Sequence, residues 1–311
     1  MIELPVPTAD LAQAGQDLSR AGYCILAGAL PAGVRDELRA RIGKQAAGER
    51  ALGVGESEAK PGGKYMGGAG RAEKSNRRVW NLLNKGQVFQ RLLTHPDVNT
   101  LVAQVLDEGF LLSAIQANFV SPGDDPLPIH SDQGYVPRPW PPYAMTASVM
   151  WMPDDFTADN GATTVVPGSH LERSPADPAE TLARARLIRK GGIPACGPAG
   201  SALVFDGRIV HGTGFNSTAE QRLGVLTYFC RPFLRQQENF FLSLRPEVVA
   251  NLPADVKARL GYQVWKTLGS VEGVCAEESF VDRPAHAVGE LDLDGDAPAR
   301  LDVPVAAGPG G

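Results

Sequence analysis

The sequence predicts a mainly β protein with flanking helices: one domain whose β-core is wrapped by N- and C-terminal helical segments. Three features carry this expectation. Residues 1–109 place apolar side chains at helical spacing, residues 110–235 break into short apolar runs separated by turn residues, and helical patterns return after Arg231. No internal repeat divides the 311 residues, and a chain of that length buries a sizeable core as one unit. The expected organisation is a single domain over 1–311, with C-terminal helices over 236–280 and a loose tail over 281–311.

Thr8 to Arg20 and Pro31 to Gln45 read as helices, the second with Pro31 placed to open it. Gln87 to Thr94 and Pro96 to Asp107 read as two shorter ones. Between these pairs, Gly53 to Arg71 holds Pro61-Gly62-Gly63-Lys64 and Gly67-Gly68-Ala69-Gly70, the composition of a mobile loop or lid. No strand precedes these glycines and the Gly-Lys-Ser/Thr ending is missing, so a phosphate cradle is not expected. The expected strands are Phe110 to Ser121, Ala144 to Met152, Ala162 to Val166, Ser201 to Phe205 and Arg222 to Arg231. Ser121-Pro122-Gly123, Pro153-Asp154-Asp155, Pro167-Gly168-Ser169 and Asp206-Gly207 separate them, a rhythm that suggests a sandwich or barrel. Pro178 to Arg189 interrupts the series as a helix, and Gln237 to Leu244 and Pro253 to Leu260 follow it.

Composition excludes several functions. A formal net charge of −5 argues against nucleic acid, whose phosphates want a clustered positive surface. No apolar run approaches the roughly 20 residues of a membrane span. The opening Met1 to Pro5 lacks a signal peptide's basic and apolar regions, so a cytoplasmic location is expected. The four cysteines (Cys24, Cys196, Cys230, Cys275) form no CxxC pair and are expected to be buried, reduced thiols.

The five histidines can be weighed one by one. His130-Ser131-Asp132 ends a predicted strand, and alternation in extended chain projects His130 and Asp132 to one face. His211, in Ile209-Val210-His211-Gly212-Thr213 after an apolar strand and tight turn, is the best third ligand. Two histidines and one carboxylate form the facial triad of non-haem iron(II) oxygenases, which leaves coordination positions open. On spacing alone, ordinary hydrogen-bonded core histidines compete with this reading. Arg222 strengthens it, because an arginine entering a β-core needs an anionic partner and its strand offers none. The distal carboxylate of a 2-oxo acid would fit; a salt bridge to Asp206 or another acid is the structural alternative.

Together, His130-Ser131-Asp132, the run Asn160-Gly161-Ala162-Thr163-Thr164-Val165-Val166-Pro167-Gly168-Ser169-His170, and His211-x-Thr213 with Arg222 resemble the phytanoyl-CoA dioxygenase family. The likeness covers about Gln87 to Arg231 and is nearest to members acting on natural products. It implies a double-stranded β-helix (jelly-roll, cupin-like) core with Fe(II) at its open end. It also implies 2-oxoglutarate as co-substrate and O2 as oxidant, with succinate and CO2 released. His130, Asp132 and His211 become the catalytic metal ligands, and Arg222 takes the 2-oxoglutarate C5 carboxylate. Thr213 and Thr163 match positions that help hold that carboxylate, and Asn118 would face the co-substrate. The family's basic residue from the N-terminal part falls on Lys64, Arg77 or Arg78. His170 is not a ligand in the family and is structural, while His95 reads as a helix junction and His286 lies in the tail. Asp132 fills the place where related halogenases carry a small residue, so halogenation is not expected.

The expected reaction is oxidation, first of all hydroxylation, of a C–H bond in a small-molecule substrate. Desaturation, epoxidation and rearrangement stay open, and a homodimer is compatible with the sequence. Substrate contacts are expected from Gly134 to Tyr143, the Gly53 to Arg71 segment and Phe233 to Phe241. Two other classes compete: a zinc cupin hydrolase or isomerase that needs no 2-oxoglutarate, and a binding module without turnover.

Overall fold

The structure is a computed structural model that describes residues 3–54, 77–123, 129–172 and 192–271. Two antiparallel sheets form its centre. The larger has six strands: β1 (Tyr23–Leu26), β2 (Arg77–Val79), β3 (Leu111–Val120), β4 (Thr146–Trp151), β7 (Ala202–Asp206) and β9 (Arg222–Cys230). They lie in the order β1-β7-β4-β9-β3-β2. The smaller sheet orders β6 (Ile193–Pro194), β5 (Thr163–Val166) and β8 (Val210–Thr213) as β6-β5-β8. This is the jelly-roll arrangement expected from the family likeness.

Strand alternation divides the large sheet's side chains between two environments. Ala147, Val149 and Trp151 of β4 join Val225 and Phe229 of β9 in a core that includes Val98, Leu101 and Val102 of α3 (Pro96–Leu106). The opposite face contributes Met150, Leu203 and Phe205, which cluster with Phe156, Val165 and Ile209 from the small-sheet side. The helices therefore cover one face of the large sheet, and the other face is left for a site.

Most expected elements occur, with differences at their ends. Asp10 caps α1 (Leu11–Ala21), its carboxylate accepting from Ala12 N at 2.9 Å and Gln13 N at 3.2 Å, so Thr8 to Asp10 lie outside the helix. α2 (Ala32–Ala51) outruns its predicted end at Gln45 by more than a turn. Gln87–Leu92 closes as a 3-10 helix. The two expected C-terminal helices are shorter, Phe240–Ser243 and Ala254–Arg259, and Pro246–Ala250 forms between them unexpected. Strands β1 and β2 were not expected. Each is too short to show a period and forms because β7 and β3 present edges to it.

Cys24 and Cys230 are buried free thiols, but Cys196 is exposed, against expectation. The predicted helix Pro178 to Arg189, the tail, Lys64, Cys275, His286 and residues 55–71 of the predicted loop lie outside the described residues. Among the described residues no helix is long and apolar enough to cross a membrane.

Candidate metal centre

His211 lies on β8, paired in register with Val165 of β5. On its other side it exchanges two main-chain hydrogen bonds with His130, each N donating to the partner's O at 2.8 Å. The imidazoles therefore sit together, with ring centroids 4.5 Å apart. The strand predicted to carry His130 and Asp132 is reduced to this single bridge, and the chain turns at Asp132 into a 3-10 turn, Asp132–Tyr135. The side chains converge nonetheless. Asp132 Oδ1 is 3.6 Å from Nε2 of His130 and 3.6 Å from Nε2 of His211. One ligand atom from each residue lies within 4.8 Å of the others, and among the described residues this is the candidate metal cluster.

Protonation suits metal binding. Burial pushes the Asp132 carboxyl up, but His211, His130 and the Ser148 hydroxyl outweigh it and hold the group down at about 2. Burial lowers His211 to about 4, against the pull of Asp132. Near neutral pH the pair is thus a carboxylate beside a neutral imidazole, the forms that ligate. The Nδ1 of His211 lies 3.2 Å from the Ile209 carbonyl, and donating there leaves Nε2 as the free lone pair toward Asp132.

Strand β9 lines one wall of the site. Its alternation puts Arg222, Gly224, Leu226 and Tyr228 on one face, and Leu226 and Tyr228 line the cavity that contains the three ligands. Arg222 is buried, donates from Nη2 to Gly161 O at 2.6 Å, and rests over the Phe156 ring at 4.0 Å. Its Nε and Nη1 have no partner among the described residues. Asp206 is taken up by Arg208, at 3.0 Å and 2.7 Å, and among the described residues no acid pairs with Arg222. Burial pulls the guanidinium down to about 9. A buried cation with two orphaned donors fits a carboxylate brought by a ligand. Gly224 leaves room beside it: a Cβ there would lie 2.9 Å from Arg222 Nη1 and 2.7 Å from Met150 Sδ.

The cavity holds about 450 Å³ and is also lined by Thr163, Thr213 and Asn118. Thr163 and Thr213 are direct register partners of β5 and β8. Asn118 lies opposite Gly224, and its Oδ1 is buried without a partner among the described residues. Of the basic candidates, Arg78 lines the cavity, whereas Arg77 turns away to hydrogen-bond the Ala46 carbonyl. Gly134, Tyr135 and Gln237 line it from two of the segments expected to meet substrate. A second cleft of about 530 Å³, lined by Arg35, Arg39, Asp154 and the Arg222 end of β9, contains none of the three ligands.

Sequence reasoning missed Gln116, Ser148 and Tyr228. Stepping back two residues from Asn118, or on from Arg222 by twos, finds Gln116 and Tyr228; nothing in the sequence singles out Ser148. His170 is buried away from the metal cluster, its Nε2 3.2 Å from Ser19 O, and Ser169 Oγ accepts from Val210 N at 2.8 Å. His95 caps α3, its Nδ1 accepting from Val98 N at 3.3 Å.

A jelly-roll core with two imidazoles and a carboxylate at its open end defines a mononuclear non-haem metal site. Residues 18–224 match the profile of the phytanoyl-CoA dioxygenase (PhyH) family, and the chain belongs to that family. Iron and 2-oxoglutarate are the family's metal and co-substrate. The chain is 31% identical over 182 residues to the uncharacterized protein Rv1501 of Mycobacterium tuberculosis, covering 56% of this chain and 63% of that one. It is 30% identical over 201 residues to the dioxygenase FrzG of Cladobotryum sp, covering 61% and 65%. These matches span less than two thirds of the relatives' own length. Among solved structures, the non-haem α-ketoglutarate-dependent carbocyclase SnoK of nogalamycin biosynthesis superposes with a TM-score of 0.57 at 18% identity, covering 78% of this chain and 95% of that one. AviO1 of Streptomyces viridochromogenes Tue57 gives 0.56 at 22%, covering 73% and 98%. At these identities both likenesses are of fold.

Proposed function

We propose that the protein is an Fe(II)- and 2-oxoglutarate-dependent dioxygenase that oxidises a C–H bond of a small organic molecule, with hydroxylation as the expected outcome. The observation that carries this reading is the His130-Asp132-His211 cluster together with a buried Arg222 guanidinium, two of whose nitrogens have no partner among the described residues, on the same face of β9 as the cavity-lining Leu226 and Tyr228. A zinc hydrolase would need the cluster but would give Arg222 nothing to hold.

His130, Asp132 and His211 would hold the iron, and Arg222 the C5 carboxylate of 2-oxoglutarate. Thr163 and Thr213, facing each other across β5 and β8, offer hydroxyls at the same end, and the Asn118 amide faces the body of the co-substrate. With the iron bound, O2 would supply the oxidising power of the reaction, and 2-oxoglutarate would be oxidised to succinate and CO2 alongside the substrate. The chain's own part is to orient the co-substrate between Arg222 and the triad, exclude water there, and present the substrate carbon. Tyr135 and Gln237 at the cavity wall contact that substrate. A natural product is the proposed class, supported by fold neighbours such as SnoK, whose description names nogalamycin biosynthesis.

The test is anaerobic addition of Fe(II) and 2-oxoglutarate to the apoprotein. The weak visible metal-to-ligand charge-transfer band implied by the family should appear for the native protein and vanish for Asp132→Ala. A folded, iron-loaded native protein without that band overturns the reading.

A further inference from the structure

The geometry points to Ser148 and Tyr228 as a two-hydroxyl clamp that positions Asp132, so that Oδ1 alone faces the metal position. This rests on the triad being a metal site, as proposed above. Asp132 receives little help from its own segment. The chain leaves extended conformation there, the only strand-like pairing beside it among the described residues is the His130–His211 bridge, and Ser131 makes no side-chain cap to the 3-10 turn that follows. A carboxylate on such a turn has two free torsions, and two equivalent oxygens to offer an ion.

Strands β4 and β9 remove that freedom. Ser148 and Tyr228 are register partners, so their side chains stand side by side on the cavity face of the large sheet. Ser148, fully buried, donates its hydroxyl to Asp132 Oδ2 in a short hydrogen bond. Tyr228 donates from Oη to the Asp132 main-chain carbonyl at 2.9 Å. One hydroxyl fixes the carboxylate's rotation and the other fixes the main chain that carries it. Oδ2 is engaged by Ser148, while Oδ1 is the oxygen at 3.6 Å from both imidazoles. The clamp thereby favours one-oxygen coordination and keeps a position open that a two-oxygen carboxylate would occupy.

The experiment uses Co(II) as an oxygen-insensitive probe with the full chain, comparing native protein with Ser148→Ala, Tyr228→Phe and His211→Ala. Thermal unfolding checks that each variant is folded. Second-sphere partners of metal ligands contribute about 10–100-fold in affinity. Ser148→Ala should weaken Co(II) binding by about tenfold or more and lower the visible d–d absorption, as a bidentate carboxylate raises the coordination number. Tyr228→Phe should weaken binding with a smaller spectral change. A folded Ser148→Ala protein with native affinity and native spectrum overturns the clamp, even if its melting temperature falls. Co(II) binding that survives His211→Ala, or fails in the native protein, overturns the metal reading and the clamp with it.

Discussion

Arg222 is the residue whose proposed role is most directly testable. Its guanidinium is buried on Phe156 with two nitrogens unsatisfied among the described residues, and Asp206, the nearest acid in sequence to β8, is held by Arg208. A charge-assisted bond to a ligand carboxylate contributes about 1.5–3 kcal/mol, equivalent to about 10–150-fold in affinity. Arg222→Ala should therefore raise the 2-oxoglutarate concentration needed for half-saturation by at least about tenfold, with iron affinity little changed. Titration of the charge-transfer band measures both, and an unchanged midpoint would remove Arg222 from the co-substrate site. At the same scale, His211→Ala should abolish metal binding, since it removes one of three donors and the side chain whose Nδ1 faces Ile209.

At the scale of elements, the Pro167-Gly168-Ser169-His170 turn acts as a brace. Gly168 N donates to Ala21 O at 2.8 Å and Ser169 Oγ accepts from Val210 N, so one turn ties the end of α1 to the start of the strand bearing His211. Gly22 makes the close approach possible: its φ is +84°, and a Cβ there would sit 2.4 Å from His170 Nδ1. Gly22→Ala should cost about 1–3 kcal/mol from backbone strain and the clash. Adding His170→Ala should restore part of that loss. Denaturant unfolding of the single and double variants measures the coupling, and strictly additive losses would show that the two residues do not press on each other.

At the scale of the molecule, buried ionisable groups make stability depend on pH. Glu238 accepts from Asn81 N and Ile115 N, tying the segment after β2 to β3, and burial raises its carboxyl to about 7 from 4.5. Between those values the folded state keeps a proton that the unfolded state releases. Stability therefore falls as pH rises through that window and levels off above it, by about 3 kcal/mol at most. In metal-free protein His211 acts oppositely: its folded value of about 4 lies below the ordinary 6.5, so its contribution grows with pH across that interval. Comparing native protein with Glu238→Gln isolates the first effect. The variant's melting temperature should decline less than the native one between pH 5 and 7.5 (about 2.5 units, where a linkage of this kind is resolved). Parallel curves would show that Glu238 does not titrate there.

That His130, Asp132 and His211 come together was legible in the sequence because it follows from residue chemistry. Few histidines, one His-x-Asp, and an arginine on an apolar strand leave few ways to assemble a pocket for a metal and an anion, and alternation alone puts Arg222, Gly224 and Tyr228 on one face. The main strands were legible for the same reason: their apolar runs are long enough to show a period and end in Pro, Gly or Asp. Tertiary structure decided what depends on a partner across space. Strands β1 and β2 exist because β7 and β3 offer edges. The choice of Arg78 over Arg77 for the cavity is set by which face of β2 packs on Ala46. Ser148 and Tyr228 reach Asp132 only because β4 and β9 pair in one particular register. Short-range pattern records which face a side chain takes; long-range pairing records what it meets there, and a single chain read in order carries the first far more directly than the second.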